Sequence, residues 1–402
     1  MIEERLSMKI ALRAFPLLLP LVSAVFATTP ARADFASCVA GLKSAAVSAG
    51  VSAATFDRIM RGVEPDMKVI ELMQNQPEFR TPIWDYLATL VDEQKVNEGR
   101  TLLQRHASLL ARIEQAYGVD RHTVVAVWGV ESDYGQISGG RFLPQALSTA
   151  ACFGPRRREF FRGELISTLR IIERGDLAAE KLRGSWAGAF GHTQFIPSTY
   201  LRLAVDFDGD GRRDLVDSIP DALASTANYL KKSGWITGAS WGYEVKVPAG
   251  YGGPSGRTNK SGIEAWASRG ITRLDGSAVS GLPNAGLLLP AGRNGPAFLV
   301  TRNFDAAYAY NAAESYALAI SVLSDRLRGR PGIRTAWPTD DRGLSRAERK
   351  ELQERLNRSG YDVGTPDGAI GPVTRAAIRQ VEAKLGLPQT GRPGGKVFDA
   401  LR

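Results

Sequence analysis

The chain has 402 residues with 44% hydrophobic and 23% charged side chains, a balance that excludes a disordered or multi-span membrane protein. Its net charge of +9 at pH 7 favours an anionic partner, but no long basic run interleaved with aromatics suggests nucleic acid. Two cysteines exclude a disulfide-dense scaffold.

Residues 1–33 read as an export signal. Lys9 and Arg13 precede the apolar run Phe15 to Ala27, and Ala31-Arg32-Ala33 before Asp34 has the form of a cleavage site. Met8 is a second candidate start, because Glu3 and Glu4 suit a signal poorly. The apolar run is too short for a permanent span, and Cys38 lacks a lipoprotein context, with Asp34-Phe35-Ala36-Ser37 before it. The expectation is an exported protein without a permanent membrane anchor, periplasmic in a Gram-negative host. Removing four basic residues (Arg5, Lys9, Arg13, Arg32) and two acidic ones (Glu3, Glu4) leaves the mature chain at +7. Roughly 370 mature residues predict at least two domains. In an oxidising compartment Cys38 and Cys152 read as a disulfide; two buried free thiols are the alternative.

From Phe35 to about Leu230 the spacing is helical, with apolar faces such as Leu102 to Ile113 and Leu165 to Ile172. Within this stretch Asp120 is a good N-cap for a helix carrying Val124, Val127, Trp128 and Glu131 on one face, with Gly135 as its stop. Glu131 then sits in the last turn among apolar neighbours. Burial and the negative end of the helix dipole both disfavour its ionisation. A carboxyl kept protonated near neutral pH suits general-acid cleavage of a glycosidic bond; a solvated helix end or half of an ion pair is the other reading. Asp133, two residues on, points elsewhere on a helix, so a paired carboxylate of the usual hydrolase kind is missing locally.

The segment Gly184 to Tyr200 combines glycines and small residues with Ser185 and Gln194, and Pro197 opens a helix. It reads as a tight loop able to line a saccharide cleft. Asp206, Asp208 and Asp210 with Gly211 match positions one, three, five and six of an EF-hand loop, and Arg212 would offer its carbonyl. Position twelve is Asp217, shorter than the usual glutamate, so an Asp-Gly turn without metal remains the alternative.

Between about 241 and 304 short alternating runs such as Glu244-Val245-Lys246-Val247 and Phe298-Leu299-Val300-Thr301 predict a small β-containing lobe inserted in the helical part. Helix resumes from Ala312 to Leu327. Residues 329–342 carry Pro331, Gly332 and Pro338 and read as a linker. Ser345 to Glu348 is a capping box opening a helix with Leu352 and Leu356. Asp367-Gly368 makes a turn, and Gly371-Pro372 opens a helix with Ile378, Val381 and Leu385 on one face. Residues 343–402 thus form a three-helix-like module. The fold class is mainly α with a minor β part (α+β).

Several segments in order, Trp128-Gly129-Val130-Glu131-Ser132, Gly184 to Gly188, Gly191 to Ser198, Ala227 to Leu230, and Tyr310-Asn311 with Tyr316-Ala317, resemble the lytic murein transglycosylase B family and its soluble relatives, glycoside hydrolase family 103. The resemblance spans nearly all of 35–327. It implies a lysozyme-like catalytic domain over 34–328, with Glu131 as the acid that cleaves between N-acetylmuramic acid and N-acetylglucosamine in peptidoglycan. It places Ser185, Gln194, Tyr229, Tyr310, Asn311 and Tyr316 in the substrate cleft, with Tyr86 as a looser match. It also implies a non-hydrolytic reaction in which the muramic C6 hydroxyl closes a 1,6-anhydro ring, Glu131 acting as acid and then base, with no cofactor needed for the chemistry. His192 stands where relatives often carry tyrosine and is read as a cleft-edge or structural histidine without a catalytic role. A longer metal loop closed by Asp221 would make bound calcium a structural staple. A hydrolytic muramidase and a non-catalytic wall scaffold are the competing functions.

The C-terminal residues Leu352-Gln353, Gly360-Tyr361, Asp367 to Gly371 and Thr374 resemble the first family of peptidoglycan-binding domains, with Val381 departing from the usual aromatic near Gln380. The resemblance implies binding of wall peptide or glycan by this module, with peptidoglycan glycan strands as the partner of a chain expected to be a monomer.

Overall fold

The structure, a computed structural model, describes residues 30–74 and 81–401. The expected signal falls outside them, except for 30–33 at the start of the first helix. In chain order the elements are α1 (Pro30–Ser48), α2 (Ala53–Met60), α3 (Met67–Gln74), α4 (Ile83–Leu90), α5 (Glu93–Arg105), α6 (Ala107–Tyr117) and α7 (Arg121–Ser132). Next come β1 (Arg141–Phe142), α8 (Leu143–Phe153), α9 (Arg158–Glu173), β2 (Arg183–Gly184), α10 (Pro197–Leu203) and α11 (Ile219–Lys232). Then follow β3 (Gly242–Lys246), α12 (Ile263–Ser268), β4 (Thr272–Arg273), β5 (Gly286–Leu288), β6 (Ala297–Val300), α13 (Arg302–Asn311) and α14 (Glu314–Leu327). The chain ends with α15 (Arg346–Arg358), α16 (Pro372–Lys384) and α17 (Gly395–Ala400). No helix among the described residues is long and apolar enough to cross a membrane.

Two apolar cores organise the helical part. One gathers α5, α6, α7, α11, α13 and α14 around Trp128, Phe304, Leu318 and Leu323. The other gathers α1, α2, α3, α8, α9 and α10 around Phe56, Leu147, Phe161 and Phe190. Tyr310 packs against both, which marks the seam between them. The second core is tied by a disulfide between Cys38 on α1 and Cys152 on α8, 114 residues apart, which closes the thiol alternative. By the chain-entropy argument a loop of that length contributes roughly 5 kcal/mol.

Helix α7 is enclosed more completely than a one-face pattern predicts. Val124, Val125, Ala126 and Val127 are fully buried and Trp128 nearly so, each larger side chain contributing roughly 1.5 to 3 kcal/mol. Asp120 caps it by accepting from the amides of His122 and Thr123 at 2.8 and 3.1 Å. The helix ends earlier than Gly135 suggests, because Asp133 adopts a left-handed conformation (φ 52°) and closes it after Ser132.

The β lobe is an antiparallel sheet in the order β4-β3-β6-β5, with Tyr243 and Leu287 both opposite Leu299. Its inner face packs on α12 through Trp266, whose indole donates to the Ala285 carbonyl at 2.8 Å. From 329 to 342 the chain has no regular structure, yet it is held. Glu244 accepts from the amides of Arg334 and Thr335, each at 2.8 Å, and Trp337 lies 6.4 Å from Trp84.

In the C-terminal module Leu352, Leu356, Ile378, Val381 and Phe398 form a separate core. The capping box of Ser345 and Glu348 is present. Leu385 departs from expectation: it is the C-cap of α16 and 44% exposed, beyond the last turn that the apolar face covers. Gln353 is buried and braces the Asp367-Gly368 turn, accepting from both amides at 3.0 and 2.7 Å.

Candidate active site

Glu131 reaches the seam from the last turn of α7. Its residue keeps partial access to solvent, while protein atoms crowd the carboxyl itself. Burial pushes its pKa up to about 7, against a smaller opposing effect from the Tyr316 hydroxyl, which donates to Oε1. Tyr316 is fully enclosed on α14, and burial together with the nearby Glu131 raises its own pKa well above 10. It therefore stays protonated and remains the donor.

Beside this pair the tyrosines form a wall. Tyr310 stacks 6.1 Å from Tyr316, and Tyr229 lies 4.7 Å from Tyr310. The Tyr310 hydroxyl donates to the Thr193 carbonyl at 2.7 Å and that of Tyr229 to the Ala309 carbonyl at 2.6 Å. Phe195 supports both rings from 5.8 and 5.9 Å. Tyr86 is partly buried on α4 against the core that holds Trp128 and Tyr316. Asn311 ends α13 and is exposed, with Ala312 turning the chain away at φ 48°.

The glycine-rich segment is folded by its own polar groups. The Ser185 hydroxyl oxygen accepts from the amides of Ala187 and Ala189 at 3.3 and 3.1 Å, fixing the turn. Gln194 holds a left-handed conformation (φ 52°), and its Nε2 donates to the carbonyls of Gly191 and Ser138 at 2.8 and 3.1 Å. That leaves the amide oxygen of Gln194 and the hydroxyl proton of Ser185 as the groups able to meet a sugar.

His192 has a structural setting. Its Nδ1 accepts from the Trp128 indole at 3.2 Å, which places the ring proton on Nε2, and burial lowers its pKa. The Ser132 hydroxyl donates to the His192 carbonyl, locking the end of α7 onto the segment. A Cβ on Gly135 would come within 2.3 Å of the His192 ring, so glycine is required there for packing.

Asp133 is engaged by other partners. It accepts from Lys95 of α5 and from Arg346 of α15, two partners that the sequence did not reveal because they lie 38 and 213 residues away. The only local signal was Asp92, a good N-cap for the helix that carries Lys95.

In the acidic loop the carboxylates of Asp206, Asp208 and Asp210 converge, with ligand atoms within 4.8 Å of one another and all three residues exposed. Asp206 accepts from the amides of Gly209 and Gly211 at 2.7 and 2.9 Å, a fold suited to an oxygen-ligated cation. Arg212 follows with its amide donated to Asp210 at 2.8 Å. Asp221 is fully buried and accepts from the amide of Asp208 at 3.4 Å. Its oxygens accept from Phe207 and Asp214 at 2.7 and 2.8 Å, stapling the loop's two ends.

Known proteins resemble this chain in sequence and fold. The transglycosylase SLT domain family matches residues 34–325, and a peptidoglycan-binding domain family matches 345–401. The membrane-bound lytic murein transglycosylase B of Escherichia coli (strain K12) is 33% identical over 265 residues, covering 63% of this chain and 72% of that protein. The crystal structure of SltB3 from Pseudomonas aeruginosa in complex with NAG-anhNAM-pentapeptide is 44% identical, with a TM-score of 0.74 over 92% of this chain and 99% of that one. The Escherichia coli lytic transglycosylase Slt35 in complex with calcium is 29% identical, with a TM-score of 0.64 over 74% and 93% of the two chains. With its mainly helical fold and most of its length under one family, the chain belongs to the transglycosylase SLT family and is a lytic transglycosylase acting on peptidoglycan.

Proposed function

We propose that Glu131 alone serves as acid and then base in a non-hydrolytic cleavage of the β-1,4 bond between N-acetylmuramic acid and N-acetylglucosamine. The observation that carries this is a crowded carboxyl with a pKa near 7, oriented by Tyr316. Protonated Glu131 gives its proton to the glycosidic oxygen as the bond to muramic C1 breaks. The muramic C6 hydroxyl bonds to C1, its proton passes to Glu131, and a 1,6-anhydro ring results with no water consumed. A group poised near pH 7 serves both transfers. Asp133, the nearest acid in sequence, is taken up by Lys95 and Arg346, which favours a lone-carboxylate mechanism over the paired one of hydrolases.

Ser185, Gln194, Tyr229, Tyr310, Asn311, Tyr316 and Tyr86 are the proposed substrate contacts. The tyrosines supply flat faces for sugar rings, while Ser185 and Gln194 supply a donor and an acceptor. Residues 34–328 form the proposed catalytic domain with its β lobe at 241–304, followed by the linker 329–342 and the wall-binding module 343–402. The basic chain is proposed to be exported through residues 1–33 and to work in the periplasm as a monomer. Calcium is the proposed occupant of the loop, held by Asp206, Asp208 and Asp210 with the Arg212 carbonyl, as a staple rather than a reactant. Asp221 is proposed to close the metal loop, as the resemblance implies.

Mass spectrometry of fragments released from purified sacculi tests the reaction. Anhydromuramic ends from the wild type and none from Glu131→Gln are expected. Reducing muramic ends would instead indicate a muramidase, and release that survives Glu131→Gln would remove Glu131 from its role. Wall binding without release by the wild type would leave a scaffold.

A further inference from the structure

The turn after Glu131 is an unusual place to find two side chains. Asp133 and Tyr134 have φ values of 52° and 58°, left-handed conformations that L residues adopt in succession only when their surroundings hold them. The holding groups are identifiable. Lys95, 7% exposed, donates to the Gly129 carbonyl at 2.9 Å and to one oxygen of Asp133. The Tyr134 hydroxyl donates back to the Lys95 carbonyl at 2.8 Å, and its ring meets Trp128 edge-on. Lys95 is placed in turn by Asp92, which accepts its amide at 2.8 Å.

The second oxygen of Asp133 accepts from Arg346. That residue opens the first helix of the C-terminal module, and its amide donates to Asp92 at 3.3 Å. Arg346 therefore touches both acids that fix Lys95 and the turn. Glu131 lies between the two clamped positions, Gly129 and Asp133.

Taking Glu131 as the acid, we infer that Arg346 is a positioning residue for it: the wall-binding module completes, through Asp133 and Lys95, the clamp that aims the catalytic carboxyl. The contact is half-exposed, so its contribution to global stability is small. Its effect is on aim, where a displacement of about 1 Å costs on the order of 100-fold in rate.

The test uses the full chain and two substrates, a short soluble glycan of alternating N-acetylglucosamine and N-acetylmuramic acid, and intact sacculi. Arg346→Ala is expected to lower kcat on the soluble glycan about 5- to 10-fold, with KM and sacculus binding unchanged. Arg346→Lys should restore most of the loss. Asp133→Asn, which also weakens the Lys95 contact, should lower kcat at least as much, and the double variant should fall no further than Asp133→Asn alone. Wild-type kcat in Arg346→Ala, additive losses in the double variant, or a loss confined to KM or to sacculi would overturn the assignment. If Asp133→Asn fails to fold, the Arg346→Ala and Arg346→Lys pair decides alone. Glu131→Gln is run beside them: activity in that variant refutes the acid itself, whereas an inactive Glu131→Gln with an unimpaired Arg346→Ala refutes only the clamp.

Discussion

Tyr316 on α14 donates its hydroxyl proton to the carboxylate of Glu131 on α7, joining residues 185 positions apart at the seam of the two helical cores. The bond favours the ionised carboxylate, while burial favours the neutral acid and prevails. Tyr316→Phe should therefore raise the Glu131 pKa further and move the alkaline limb of kcat/KM upward. Loss of orientation should lower kcat about tenfold, equivalent to one hydrogen bond of roughly 1.4 kcal/mol. A pH–rate profile reads both effects, and an unshifted limb would contradict the role given to Tyr316.

Glu131 also sets a pH dependence of stability. Its native pKa of about 7 exceeds the ordinary 4.5, so the folded state binds the proton more tightly. Stability from this group is full below pH 4.5 and is lost as pH rises through 7, by at most roughly 3 kcal/mol. Glu131→Gln should melt above the wild type at pH 8 and lose that advantage toward pH 4. Activity of the wild type should likewise fall above about pH 7 as the acid deprotonates.

Asp85, 2% exposed on α4, receives two hydrogen bonds from Arg392 at 2.6 and 2.7 Å, and Arg392 also pairs with Asp341. Removing one partner strands a buried charge. Arg392→Ala is expected to cost about 3 to 5 kcal/mol in chemical denaturation, and Arg392→Ala with Asp85→Asn less than Arg392→Ala alone.

The acidic loop separates structure from ion binding. Asp210→Asn keeps an acceptor for the Arg212 amide but removes a charge from the trio, so it should shrink the rise in Tm produced by calcium while sparing the Tm without it. Asp221→Ala should lower Tm under both conditions, since it strands the amides of Phe207 and Asp214. The cost of that loss is roughly 2 to 3 kcal/mol.

Reduction of the Cys38–Cys152 bond should lower stability by several kcal/mol, since a loop of this length is among the more favourable to close. Comparing Tm with and without reductant, and with Cys38→Ser, reads the effect. Equal melting in all three would show that the second core does not depend on the link.

What the sequence disclosed was mostly local. Asp120 announced its helix and Ser345 with Glu348 announced another, because caps act over three or four residues. The apolar face around Glu131 implied its burial, though α7 proved enclosed on nearly every side. The sequence places the end of α7 at Gly135, whereas the helix closes earlier at a left-handed Asp133, a residue type that tolerates this conformation and is held there by the distant Lys95 and Arg346. Tyr316, Tyr310 and Tyr229 came only through the resemblance, since nothing in their spacing tells which residue a ring will face after folding. Leu385 followed the helical period one residue past the helix.

The connection between the two domains has a thermodynamic side. With its amides bound to Glu244 and Trp337 set against Trp84, the segment from 329 to 342 has already surrendered its freedom on folding. A slack tether would lose that freedom anew each time both domains engaged one strand. Here it is lost once, in the making of the protein, so keeping the C-terminal module beside the helical part carries little further entropic cost.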